Sequence, residues 1–424
     1  MIRNTCVEAE IGRIPCVVYG RLASALKPKE YIHSISAEEL EHLVVPGTTY
    51  RKSTAILNRA FHRAGDRAFR TSTLEDHIVS DGQKINAVMH AKAQAILREV
   101  PGISETGMIE DAAGIPECVK SPAPGSDITG TDKDNAFADV VSKYNEGKED
   151  CDQIKNRKLI ADTELNPADC VYVSIDEVGV HHQKDARGDG GKKNGKNVEN
   201  TVIHIQCREG EYTLTDICMD KAFTLLMAFL FANRLLEDRH LYFFSDGAQN
   251  IKSKIETYFK ELCPYSLMLD WYHLEKRMTE LLSMALQGSK DIRHDIRHTL
   301  DQKLWAGNID DAIKYLNGLD KKYVRNQNKL DDAIKYLGRK RLYVACYALR
   351  RELGYRNSSN PAEKANDIIV ASRQKHNGMS WSYAGSGALA SITALSRNGE
   401  TMSWITDRKI AFVPRPSSKD NMAA

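Results

Sequence analysis

The spacing of apolar positions along the chain changes character several times. Up to about residue 100 it is helical: Ile56, Leu57 and Phe61 follow Ser53, and Val88, Ala91, Ala95 and Leu97 line one face of a stretch from Lys84 to Val100. Between these, His62–Ala68 breaks the pattern. Ser72, with Glu75 three residues on, then forms a capping box that opens another helix. Short helices parted by a glycine-containing turn predict a helix-turn-helix over about 50–98. Cys16–Gly20 reads as a short strand. Residues 101–168 are polar and punctuated by Pro101-Gly102, Pro116, Pro122 and Pro124-Gly125, which predicts a linker carrying one helix near Ala136–Asn145.

From residue 169 the pattern shifts to β-branched runs. Val171–Asp176, Thr201–Cys207, Glu211–Cys218, Leu241–Asp246 and Tyr265–Asp270 predict five strands. Apolar helices at Ala222–Leu236 and Ile251–Phe259 separate the last three. The resulting order, β-β-β-α-β-α-β, implies a mixed sheet covered by helices. His273–Tyr355 reads as helical throughout and repeats itself: Asp310–Leu316 (DDAIKYL) recurs as Asp331–Leu337. Two copies are too few for a solenoid, so they read as two helices of one insertion. A last helix is expected over Ala362–His376, then a frayed tail after Arg397.

Composition changes this picture little. Of 424 residues, 42% are hydrophobic and 27% charged, which excludes wholesale disorder. Lys+Arg 59 against Asp+Glu 57 gives a net charge of +2, so any nucleic-acid surface must come from local clustering. No apolar run approaches a membrane span, and the N-terminus lacks a signal-peptide core, so the expected location is cytoplasmic. Nine scattered cysteines without a CxxC pair read as free thiols rather than as disulfides or a zinc site. The glycines form no GxxxxGK[ST] loop, so no nucleotide cofactor is expected.

Candidate chemistry lies in the acids that end the predicted strands. Asp176 follows Val-Ser-Ile, and Asp246 follows Tyr-Phe-Phe-Ser and precedes Gly247. Each alone reads as an ordinary turn or helix cap. On neighbouring strands, however, two carboxylates would converge and repel unless a hard divalent cation lay between them. A third acid would complete a two-metal site for displacement at phosphorus. Glu363, in the first turn after Pro361 and sharing a face with Asn366, is the best candidate; by composition alone it is an acid compensating a helix dipole.

The set Ser-Ile-Asp176, Ser-Asp246-Gly-Ala and Asn360-x-x-Glu363-x-x-Asn366 resembles the DDE transposases of bacterial insertion sequences, most nearly the mutator-like and ISLre-type groups. Leu269-Asp270-x-x-His273-Leu-x-Lys276 and Arg373-Gln-Lys375-His-Asn-Gly-Met-Ser-Trp381 add to the likeness, which covers about 165–396. It implies an RNase H-like catalytic domain in two parts (169–275 and 356–396) around an all-helical insertion (276–355). These follow an N-terminal DNA-binding region (1–100) and a linker (101–168), with a tail over 397–424. Asp176, Asp246 and Glu363 match the three metal-binding acids, holding two Mg²⁺ or Mn²⁺ ions. His273 matches a site-supporting histidine, and Asn360 and Asn366 match asparagines that flank the glutamate and are expected to fix its rotamer. Two residues depart from the family's pattern: Asp270 adds a site-supporting carboxylate close to the site, and Asp367, beside Asn366, competes for the third-ligand role.

The likeness implies double-stranded DNA as partner, namely the element's terminal repeats and a target, bound by a homo-oligomer in the nucleoid. Cationic approach surfaces are expected from Lys184, Arg187, Lys192, Lys193 and Lys196 in one loop and from Arg59, Arg63, Arg67 and Arg70 near the N-terminus. Arg373 and Lys375 near the end and a cluster running from Arg339 through Lys340, Arg341, Arg350 and Arg351 to Arg356 complete them. Ser72–Ile78 is the expected recognition helix. Trp271 and Trp381 read as packed aromatics, and His294 and His298 as a helix surface. Two alternatives remain: an inactive or domesticated DNA-binding derivative, and an RNase H-like nuclease without strand transfer.

Overall fold

The computed structural model describes residues 6–9, 12–15, 35–65, 68–120, 130–150, 152–155, 167–183, 197–245, 247–375 and 379–416. A hairpin of β1 (Cys6–Ala9) and β2 (Gly12–Pro15) comes first; the strand expected at Cys16–Gly20 lies outside the described residues. Helices α1 (Ile35–Val44), α2 (Tyr50–Ala60) and α3 (Thr71–Arg98) follow, then α4 (Gly130–Asn145).

The two helices expected at Ser72 and Lys84 are one. Leu74, Ile78, Gly82, Ile85, Met89, Ala93 and Leu97 form an unbroken buried stripe along α3. Arg70, not Ser72, is its N-cap residue. Gly82 sits inside the helix because of what it faces. A Cβ there would overlap the backbone carbonyl of Ala388 and lie 2.5 Å from its Cα. The residues expected as a recognition helix are thus the first turns of a core element. Leu57, Leu74 and Ile78 share one apolar cluster with the sheet residues Val171, Val173 and Ile175.

That sheet is mixed and five-stranded: β3 (Cys170–His181), β4 (Asn197–Cys207), β5 (Gly210–Asp216), β6 (His240–Ser245) and β7 (Tyr265–Leu269), in the spatial order β5-β4-β3-β6-β7. β3, β4 and β5 run antiparallel, while β6 lies parallel to β3 and β7 parallel to β6. The parallel pairs need crossovers. Helices α5 (Met219–Ala232) and α6 (Gln249–Phe259) lie in those connections. β3 reads as an apolar run because both its faces are covered. Val171, Val173 and Ile175 join the cluster containing α5, whereas Cys170 and Tyr172 join a second one.

This second cluster is built by helices that follow β7: α7 (Trp271–Ala285), α8 (Lys290–Trp305), α9 (Ile309–Asn317), α10 (Gln327–Lys340) and α11 (Tyr347–Glu352). The sequence repeat falls on α9 and α10, where Ala312 and Leu316 are buried like Ala333 and Leu337. The chain returns to the sheet through α12 (Asn360–Asn366), which widens into a π-helix over Asp367–Lys375 where one uniform helix is expected. Helices α13 (Tyr383–Arg397) and α14 (Thr401–Asp407) close the fold.

Two segments expected to be loose are packed. Ile103, Ile115 and Val119 of the predicted linker are buried, and so are Trp404, Ile410 and Phe412 of the predicted tail. Arg415 exchanges backbone hydrogen bonds with Glu211, at 2.8 and 2.9 Å, and so covers the open edge of β5. No helix among the described residues is long and apolar enough to cross a membrane.

Two histidines in the sheet are buried in neutral form. His204 contacts Thr213 at 3.0 Å and His240 contacts Ser266 at 2.8 Å. Burial, reinforced by nearby arginines, holds their pKa values down to about 3 and about 4. The unfolded chain therefore binds these protons first, and stability falls as pH drops below the ordinary histidine value. At pH 5 the cost is about 2 kcal/mol per histidine. Denaturant titration should show stability lost from about pH 6.5 downward, with His204→Gln reducing the slope. An unchanged slope contradicts the assignment. Gly82→Ala should destabilise by about 1–3 kcal/mol despite alanine's better helix propensity, measured by thermal unfolding.

Candidate active site

Asp176 does not end its strand as expected; it lies at the middle of β3. β6 pairs with β3 only from Cys170↔His240 to Ser174↔Phe244, whereas β4 stays paired as far as His181. Asp176 therefore lies past the last β6 partner and is half-buried. Its Oδ1 accepts from the Glu177 backbone N–H at 2.8 Å, and its Oδ2 accepts from Asn366 Nδ2 at 2.6 Å. Asp246 lies outside the described residues. The register nonetheless pairs Ser174, two residues before Asp176, with Phe244, two residues before Asp246.

Glu363 reaches the same place from α12. Asp270, fully buried, fixes where that helix begins. Its Oδ1 accepts from the backbone N–H groups of Tyr272 (3.2 Å) and Ser359 (3.1 Å), while its Oδ2 accepts from the Ser359 hydroxyl and contacts His273 Nδ1 at 3.0 Å. One carboxylate thus caps α7 and anchors the residue before α12. The Asp270 backbone N–H also donates to Ser245 at the end of β6. Pro361 suits the first turn, and the N–H of Glu363 donates to the Ser359 carbonyl at 2.9 Å.

His273, in the first turn of α7, completes the group. Its Nε2 stands 3.0 Å from Glu363 Oε1. Burial opposes the charged imidazolium, but hydrogen bonds and charge from Asp270 and Glu363 outweigh it and push its pKa up to about 10. Ligand atoms of Asp176, His273 and Glu363 all lie within 4.8 Å of one another. Two carboxylates this close, with Asn366 beside them, form an oxygen-rich set suited to a hard divalent cation. The buried Asn366 Oδ1 has no hydrogen-bond partner among the described residues, which leaves a further hard oxygen beside Asp176.

The remaining expected residues divide. Asn366 holds Asp176 rather than the glutamate, and Asn360 accepts from the Ser358 hydroxyl at 2.8 Å. Asp270 is a hub rather than an open ligand, and Asp367 is exposed. Arg59, Arg63, Arg70 and Lys375 are exposed, with Arg63 lying 4.1 Å over the Phe69 ring. Lys184, Arg187, Lys192, Lys193, Lys196 and Arg67 lie outside the described residues.

Arg373 corrects its expected role as a DNA contact. It is 3% exposed, caged by the Tyr50 and Trp381 rings, and donates to the Val45 carbonyl. Arg350 is likewise buried, between Tyr242 and Tyr355. Trp381 is a packed aromatic, donating to the Gln374 carbonyl, and His294 and His298 lie on an exposed helix face. A second carboxylate–histidine group, Glu38, His42 and Asp81, is bridged by Arg408, whose Nη2 lies 2.8 Å from Glu38. The roles of Ser359 and Asp270 are not apparent from their spacing. The available signal is that each directly precedes a helix, as capping residues do.

No protein-family model matches the chain, and no curated protein does. Among solved structures it is similar to the Drosophila P element transposase strand transfer complex, with 9% identity and a TM-score of 0.26, covering 92% of this chain and 84% of that one. A TM-score this low carries no argument about fold or function.

Removing the hub should be costly. Asp270→Ala leaves His273 and Ser359 without their shared acceptor and should destabilise the protein by about 3–5 kcal/mol, read by chemical denaturation. A loss under about 1 kcal/mol contradicts the hub role.

Proposed function

We propose that this protein is a DDE-type DNA transposase with an RNase H-like catalytic core. It would cleave the ends of an insertion sequence and join their 3′-hydroxyls to target DNA. The observation that carries this reading is the meeting of Asp176 and Glu363, 187 residues apart in the chain, within one 4.8 Å group at the sheet. Three features support it: the strand order β5-β4-β3-β6-β7, the parallel β3–β6 pair whose last partners, Ser174 and Phe244, each stand two residues before one of the two aspartates in sequence, and the helical segment between β7 and Glu363.

Asp176, Asp246 and Glu363 would hold two Mg²⁺ or Mn²⁺ ions. When bound, such ions activate water or a 3′-hydroxyl and stabilise the leaving oxygen of an in-line displacement. The protein's own groups define the frame for that chemistry. Asn366 fixes the Asp176 carboxylate by donating to its Oδ2. Asp270 fixes His273, whose Nε2 donates to Glu363 and sets the direction of that side chain. Arg59, Arg63, Arg70 and Lys375, with the lysine-rich stretch Lys184–Lys196 and Arg67, would contact phosphates of double-stranded DNA. Pairing two DNA ends would require at least two protomers.

Incubation with Mg²⁺ and a plasmid carrying the DNA that flanks the gene should yield cut ends and joined products. Asp176→Asn, Asp246→Asn and Glu363→Gln should each lower product by at least about a thousand-fold while leaving circular dichroism unchanged. Equal products from wild type and these variants would reject the proposal. Cuts without joining would favour the nuclease alternative.

A further inference from the structure

A groove of about 590 Å³ opens at the same end of the sheet, beside the turn that follows Asp246 in sequence. One wall is formed by Ser245 at the end of β6, Leu267, Met268 and Leu269 of β7, Gly247 and the start of α6. The other is the exit of α10 from the helical segment. Three cations line it, Lys252 from α6 and Arg339 and Lys340 from α10, together with the rings of Tyr336 and Tyr343. No acidic side chain is among its described lining residues, and Lys252 pairs with Glu256, one turn further along α6, at 3.5 Å.

The two walls are fastened to each other. The Tyr343 carbonyl accepts from the Leu269 N–H at 2.8 Å, and Lys340 Nζ donates to the Gly247 carbonyl. Gly247 has φ +82°, and a Cβ there would collide with Lys340 Nζ. Lys340 is therefore held in place rather than displayed on a mobile arm. Lys252 stands 5.2 Å from the Tyr343 ring, and Lys340 stands 6.0 Å from the Tyr336 ring.

Cations beside phenol rings in a groove of mixed polar and apolar lining fit a ligand that alternates anionic groups with flat faces. Single-stranded nucleic acid has that chemistry, since phosphates seek lysine and arginine while bases stack on aromatic rings. The volume lies within the range of small-ligand sites and suits one or two nucleotides rather than a duplex. We propose that this groove is a subsite for an unpaired nucleotide of the DNA strand being processed, with its base against Tyr336 or Tyr343 and its phosphates on Lys252, Arg339 and Lys340. This rests on the transposase reading and adds to it a need for locally melted DNA at the cut. It also assigns the helical segment a substrate-binding role.

The test uses the full chain in metal-free buffer, so that binding is read apart from cleavage. Fluorescence anisotropy with a labelled eight-nucleotide single strand should show Tyr336→Ala weakening binding at least about five-fold, a stacking loss of about 1 kcal/mol. Arg339→Ala should reduce the salt dependence by about 0.7 in log–log slope, the value for one single-strand phosphate. Lys335→Ala, exposed on the same helix outside the groove, should bind like wild type. A strand carrying 5-iododeoxyuridine should crosslink under light to Tyr336 or Tyr343. Retention of wild-type affinity and salt slope by both groove variants, or crosslinks confined to other segments, would overturn the proposal even if the wild type cuts and joins DNA. Competition by inorganic phosphate as effective as that by unlabelled strand would reduce the groove to a simple anion site and also overturn it. If groove-dependent binding is seen but Asp176→Asn processes DNA like wild type, the catalytic reading fails and the groove assignment stands as strand binding alone.

Discussion

A single buried carboxylate, that of Asp270, ties together the pieces on which the site depends. It ends the turn after β7, caps α7, receives both the backbone and the hydroxyl of Ser359, and orients His273. Its own N–H reaches the end of β6. A buried carboxylate is tolerable only when its lone pairs are satisfied by well-aligned donors, and here four groups converge on two oxygens. Where α12 begins, and hence where Glu363 points, follows from that requirement. The helical segment spans more than eighty residues of sequence, yet it enters and leaves the sheet through this one side chain.

The sheet imposes the complementary constraint. β6 is shorter than β3 and stops pairing at Ser174, so the remainder of β3 is covered by α12 and the π-helix, with Ala365, Ile369 and Val370 sharing its apolar cluster. Asn366 lies at the junction between them, and its contact with Asp176 joins a β-strand residue to a helix residue 190 positions away. π-Helical turns recur at functional sites, where the wider turn shifts the side chains that follow it. Here that turn begins directly after Asn366, so the α-helical part carries the polar groups and the π-helical part packs.

Much of the sheet was readable from sequence because its strands are apolar, β-branched and separated by turns; all five appear in the expected order. Asp176, Glu363 and His273 were singled out through spacing and resemblance, and their ligand atoms lie within 4.8 Å of one another. Other features depended on tertiary contacts that no local pattern carries. Gly82 looks like a break but serves a close helix crossing with Ala388. Arg373 sits in a basic stretch but is claimed by Tyr50 and Trp381, residues 323 positions before it and 8 after it. The polar stretch after Pro101 hides Ile103, Ile115 and Val119, too sparse to show a period yet buried all the same. Asp270 reads as one more acid near a site, and only its burial shows that it holds the others in place.

In the proposed function, Asp176, Asp246 and Glu363 surround one site that holds two divalent ions. Loading the metal-free protein with Fe²⁺ and generating hydroxyl radicals with hydrogen peroxide, ascorbate recycling the iron, cuts a polypeptide next to where the iron sits. Cuts are expected to cluster near residues 176, 246 and 363, to be suppressed by excess Mg²⁺ and to be lost in Glu363→Gln. Cuts confined to other segments, or a pattern that Glu363→Gln leaves unchanged, would contradict it.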